Sequence, residues 1–192
     1  FRRVLFRSSS KCSNTEYDCI LIKLPNDTKW NQLLFQLSHE VCHYVIYLNN
    51  CDDYHFIPWI EESICEAFSL FCLKKWGMEW NSLGYPSRDK TYGRWMISYR
   101  TSQMKEKSER PSLMDDIDFS TLEEINDTAT SHRLRRHDFV CKLTELISKQ
   151  SISGLIDYQK YHKTKLLLDT ENYRTMNNSA VDLLCDVQDN IY

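Results

Sequence analysis

Glycine and proline are scarce, 4 of each in 192 residues. A β fold assembled from many short strands, or from repeats, needs turn residues at every connection, so this scarcity argues against one. Long apolar runs are missing too. None approaches the roughly 18 residues that a membrane-crossing helix requires, so no membrane partner is expected. The net charge is only −3, and no global positive field points to nucleic acid as a partner. The local basic cluster of Arg133, Arg135 and Arg136 with His132 and His137 reads as a solvated helix face. No CxxC pair, internal repeat or low-complexity tract occurs.

What is present suits one domain with a real core: 42% of the residues are hydrophobic and 12% aromatic. The eight cysteines, Cys12, Cys19, Cys42, Cys51, Cys65, Cys72, Cys141 and Cys185, form no disulfide framework. They read as free thiols in a reducing compartment, hence a cytoplasmic location. The first eight residues, Phe1 to Ser8, resemble the translation of a sequencing-adapter oligonucleotide, and no initiating Met precedes them. Residues 1–8 are therefore expected to be an artefact, with the natural chain continuing upstream.

The most informative feature is His39-Glu40-Val41-Cys42-His43, an HExxH pattern. Two histidines four apart on a helix lie on one face, one turn above the other, and can grip one metal from one side. Glu40 stands beside them, placed to act as a base on water at that metal. Eighteen residues separate His43 from Glu62, which lies in the segment Trp59-Ile60-Glu61-Glu62-Ser63-Ile64-Cys65-Glu66-Ala67. Glu62 and Glu66 interrupt an otherwise apolar helix, and a buried carboxylate is costly unless it is paired or binds a metal. Three protein ligands and one open position mark a catalytic zinc site.

Apolar Leu33, Leu34, Leu37, Val41, Val45 and Leu48 predict a helix over 29–49, with Asp27 or Thr28 as N-cap. Residues 17–24 read as a strand just before it. Pro58 opens a second helix over 58–76, closed by Gly77. Residues 78–90 form a connection and 91–109 a helix that Pro111 ends. Residues 113–130 are expected to be irregular or a short helix. Further helices are predicted over 132–150, 153–169 and 176–189.

HExxH, eighteen residues, then Glu resembles the gluzincin group of zinc metallopeptidases, and the aminopeptidase branch by its spacing and by Trp59-Ile60-Glu61-Glu62. The resemblance covers about residues 30–76. It implies His39, His43 and Glu62 as Zn2+ ligands and Glu40 as general base. Glu66, four residues after Glu62, would orient a ligand histidine from behind. Position 61 is Glu where relatives have Asn, position 63 is Ser where aminopeptidases have Gly, and no Gly-rich exopeptidase motif precedes the zinc helix. The resemblance thus implies the metal site and not aminopeptidase specificity.

The fold implied is α+β and zincin-like. A small N-terminal sheet, the zinc helix and the glutamate helix form a catalytic core over residues 9–80. A mainly helical subdomain of the same domain follows over 81–192. The strand before the zinc helix would line a cleft and bind extended peptide as an added strand. The function implied is hydrolysis of a peptide or protein substrate by a zinc-activated water with Glu40 as base. The alternative is a zinc-binding regulatory or interaction module with one specific partner or no turnover. The oxyanion needs a further donor, and Tyr92, Tyr99, His132 and His137 are candidates. Tyr99 is preferred, because Tyr92, Trp95 and Tyr99 make an aromatic helical stripe.

Overall fold

The computed structural model describes residues 10–12, 15–17, 20, 22, 29–50, 54–80, 82, 91–127 and 133–191. The fold is helical, and α2 (Pro58–Glu79) is its axis. Most of the first sixteen residues of α2 are buried, including Ile60, Ile64, Leu70 and Leu73. A helix that is apolar nearly all round must be covered on all sides. Around it pack α1 (Trp30–Asn49), α3 (Tyr92–Gln103), α4 (Phe119–Asp127) and α5 (His137–Ile147). Pro58 starts α2 at a position where its missing N–H costs no bond. Ile57 before it is extended, at φ −109° and ψ 97°, as the residue preceding proline favours.

α2 runs two residues past Gly77, so Gly77 does not close it. Its role is close approach. A Cβ on Gly77 would lie 2.9 Å from the Gly93 carbonyl, and one on Gly93 would lie 2.5 Å from the Gly77 carbonyl. Only two glycines let α2 and α3 cross this tightly.

In α1 the buried positions are Ser38, Cys42 and Ile46, spaced four apart. The expected stripe ends elsewhere: Val45 is 40% and Leu48 50% exposed. The other members of that stripe, Leu33, Leu34, Leu37 and Val41, are half-buried. The helix begins after Lys29 without a side-chain cap; Asp27 and Thr28 lie outside the described residues.

The second half breaks into shorter pieces than the apolar periodicity predicts. A 3-10 turn at Arg133–Arg136 leads into α5. The helix expected over 153–169 is instead α6 (Ser153–Ile156), a 3-10 turn at Tyr158–Tyr161 and a bridge between His162 and Leu168. Then come α7 (Thr170–Tyr173), a 3-10 turn at Arg174–Met176 and α8 (Ser179–Asp189). Asn177 adopts the left-handed region at φ 49°, and the Asn178 side chain accepts the Ala180 N–H to cap α8.

The α+β expectation is corrected. Among the described residues the only strand pairing is a three-residue ladder, β1 (Ser10–Cys12) against β2 (Thr15–Tyr17). A lone ladder of that length cannot carry a core, and the core is made by helices. Of the strand expected over 17–24, Tyr17 ends β2, while Ile20 and Ile22 are in no strand. The remainder, like residues 1–8, lies outside the described residues. Cys42, Cys65, Cys72, Cys141 and Cys185 are free thiols. No helix among the described residues is long and apolar enough to cross a membrane.

Candidate metal centre

α1 and α2 pack side by side, and this brings the two sequence motifs together. His39 and His43 flank the buried stripe of α1, on the side toward α2. Their Nε2 atoms are 3.1 Å apart. Glu62 Oε2 lies 3.4 Å from His39 Nε2, and Glu62 Oε1 lies 3.7 Å from His43 Nε2. Among the described residues this is the one group of three or more His, Cys, Asp or Glu side chains whose ligand atoms converge, all within 4.8 Å. Ligand atoms of a tetrahedral zinc ion, bonded at 2.0–2.1 Å, are separated by about 3.3 Å. Two imidazole nitrogens and one carboxylate are also a donor set that zinc takes. The residues fit a zinc ion.

The electrostatics agree. Burial by itself would raise the Glu62 carboxyl. The hydrogen bond from His39 and the charges of His39, His43 and Arg136 outweigh it and hold the group well below the usual range. Burial would lower His43, but its hydrogen bond to Glu61 and the charges of Glu62, Glu61 and Glu40 carry it upward. Carboxylates gathered around two imidazoles make a site that holds positive charge, as protons or as a divalent cation. Glu40 is half-buried on α1 between the two histidines.

Behind His43 stands a residue that sequence reasoning passed over. His43 Nδ1 lies 2.7 Å from Glu61 Oε1. Glu61 is fully buried in the first turn of α2. The Tyr54 hydroxyl donates to the same oxygen at 2.7 Å, while the Tyr158 hydroxyl and Gln159 Nε2 donate to Oε2 at 2.5 and 3.2 Å. Burial and the neighbouring Glu61 push both tyrosine hydroxyls far upward, so they stay protonated and donate. The available signal was a second carboxylate in an apolar segment, one that also needed a partner.

Glu66 is placed differently from the expectation. Its Oε1 accepts from Arg133 Nε at 2.6 Å, and its Oε2 lies 3.8 Å from Arg136 Nη2. Arg133 also reaches Glu106 and Gln103. The carboxylate on the Nδ1 side of His43 is therefore Glu61, and Glu66 is held by the arginines. The reading of the basic cluster as a solvated face is corrected with it. Arg135, Arg136 and His137 are buried, and carboxylates from elsewhere in the chain meet the two arginine charges: Arg136 stands 3.8 Å from Glu66, while Arg135 donates to Glu124 at 2.8 Å and to the Pro111 carbonyl at 2.9 Å.

Of the candidate oxyanion donors, Tyr99 sets its ring edge-on to Phe35, centroids 6.0 Å apart. Phe35 is one turn before His39. Tyr92 packs on Trp80, His137 Nε2 lies 3.3 Å from Cys141 Sγ, and His132 lies outside the described residues. No protein-family model, curated protein or solved structure matches this chain.

Proposed function

We propose that the chain is a zinc-dependent metallopeptidase that hydrolyses peptide bonds with Glu40 as general base. The observation that carries this reading is the convergence of His39, His43 and Glu62, from two helices, on one ligand set with Glu40 alongside. Zinc held there would lower the pKa of a bound water toward about 7 and polarise the scissile carbonyl. Glu40 takes the proton of the attacking water and returns it to the leaving amine. His39, His43 and Glu62 supply three ligands and leave the rest of the coordination sphere to water and substrate. Tyr99 is the proposed donor to the developing oxyanion. Burial raises its hydroxyl, with the Arg133 charge opposing, so it keeps the proton it must offer.

The test is turnover of a quenched-fluorescent peptide library by zinc-loaded protein, wild type against Glu40→Gln at equal zinc occupancy. Gln keeps the shape and loses the basic oxygen, so the rate should fall by about 10²–10⁴. Equal rates would remove Glu40 from the mechanism. A zinc-loaded wild type that cleaves nothing across the library would overturn the peptidase reading in favour of a zinc-binding module.

A further inference from the structure

We propose that Glu61, caged by Tyr54, Tyr158 and Gln159, is the positioning residue of the metal centre, holding His43 with a proton on Nδ1 and the Nε2 lone pair aimed at the ligand set. The proposal rests on the metal-site reading above and adds a residue and a supporting shell that the HExxH-x18-Glu spacing does not contain.

The geometry is specific. A carboxylate has about four lone-pair sites, and at Glu61 four donors meet them: His43 Nδ1, two tyrosine hydroxyls and one amide. No arginine or lysine is among these four. The one partner able to carry positive charge is His43, so the electrostatic pull of this buried oxygen pair falls on a single imidazole. A buried carboxylate persists only when its acceptors are filled, and these bonds leave it one orientation. With Nδ1 donating to Glu61, Nε2 is the nitrogen left to face His39 and Glu62. Such a partner fixes the tautomer and makes the ligand nitrogen more basic.

The cage is assembled from distant parts of the chain. Tyr54 precedes α2, His43 comes from α1, and Tyr158 and Gln159 come from the 3-10 turn about a hundred residues later. The His55 N–H donates to Gln159 Oε1 at 2.9 Å, which pins the segment before α2 to that turn. The second half of the chain thus reaches the metal centre through Tyr158 and Gln159, though neither touches the ligand set. Glu66 makes a control, because it sits on the same helix but is held by Arg133 and Arg136.

The experiment measures zinc dissociation constants by chelator competition for wild type, Glu61→Gln, Tyr158→Phe and Glu66→Gln. It also reads the His43 Nδ1 proton in 15N-histidine-labelled protein. Glu61→Gln should weaken zinc by about 10–100-fold, Tyr158→Phe by less, and Glu66→Gln should leave the affinity unchanged. Wild type should show His43 with its proton on Nδ1, slowed in exchange, and Tyr158→Phe should shift or broaden that resonance. If Glu61→Gln does not fold, Tyr158→Phe and the Nδ1 signal decide. Wild type that binds zinc, with Glu61→Gln or Tyr158→Phe matching its affinity and its Nδ1 signal, overturns the positioning role alone. Wild type that binds no zinc overturns the metal-site reading, and this inference with it.

Discussion

Glu66 and Arg133 form an ion pair of 2.6 Å across the interior, the carboxylate on α2 and the guanidinium on the 3-10 turn that leads into α5. Arg136 stands on the other carboxylate oxygen at 3.8 Å. One acidic side chain thus ties the axial helix to the start of the C-terminal half. Removing one partner of a buried pair leaves an uncompensated charge, which costs about 3–5 kcal/mol. Arg133 is 29% exposed and also reaches Glu106, so the lower end applies. Glu66→Gln should therefore lower the urea midpoint by the equivalent of about 3 kcal/mol. An unchanged midpoint would mean the pair contributes no net stability.

Gly93→Ala should destabilise the protein. The new Cβ would meet the Gly77 carbonyl, a backbone atom that cannot rotate aside. α3 would have to shift off α2, at about 1–3 kcal/mol for overpacking of this kind. For a chain of this size that is a fall in Tm of about 2–12 °C. Calorimetry checks it, and a Tm equal to wild type would show that the helices separate freely.

Zinc should contribute to folding stability as well as to chemistry. A ligand that binds only the folded state at 1,000 times its Kd adds about 4 kcal/mol. Adding a chelator should then lower Tm by about 8–16 °C, and Glu62→Ala should remove most of that response. Metal analysis of the purified protein should give one zinc per chain. Stoichiometric zinc in a protein lacking both His43 and Glu62 side chains would reject the ligand assignment.

Tyr99→Phe tests the proposed oxyanion donor. The ring keeps its contact with Phe35, so stability and zinc affinity should hold while kcat falls by about 10²–10³. A drop confined to KM would reassign Tyr99 to substrate binding.

Much of the site was legible before folding was considered. HExxH sets two imidazoles on one helix face by the 3.6-residue period alone, and Pro58 and the apolar run mark the second helix. The period of one helix says nothing about its rotation against another. Glu61, Glu62 and Glu66 all sit in the same apolar stretch, and only the packing of α2 against α1, α5 and the 158–161 turn decides their directions. Glu62 turns to the histidine Nε2 atoms, Glu61 to the back of His43 and Glu66 to the arginines. The arginine cluster follows the same logic. Local composition reads as a wet face, but Glu66 lies 67 residues before Arg133 and Glu124 lies 11 before Arg135, so burial became affordable only after tertiary contact. A strand over 17–24 reads from its own residues, but the sheet around it is implied only by the resemblance, and the helices carry the core instead. The spacing of side chains along one helix is a property of the sequence, whereas which buried charge finds which partner depends on how separate helices are turned toward each other.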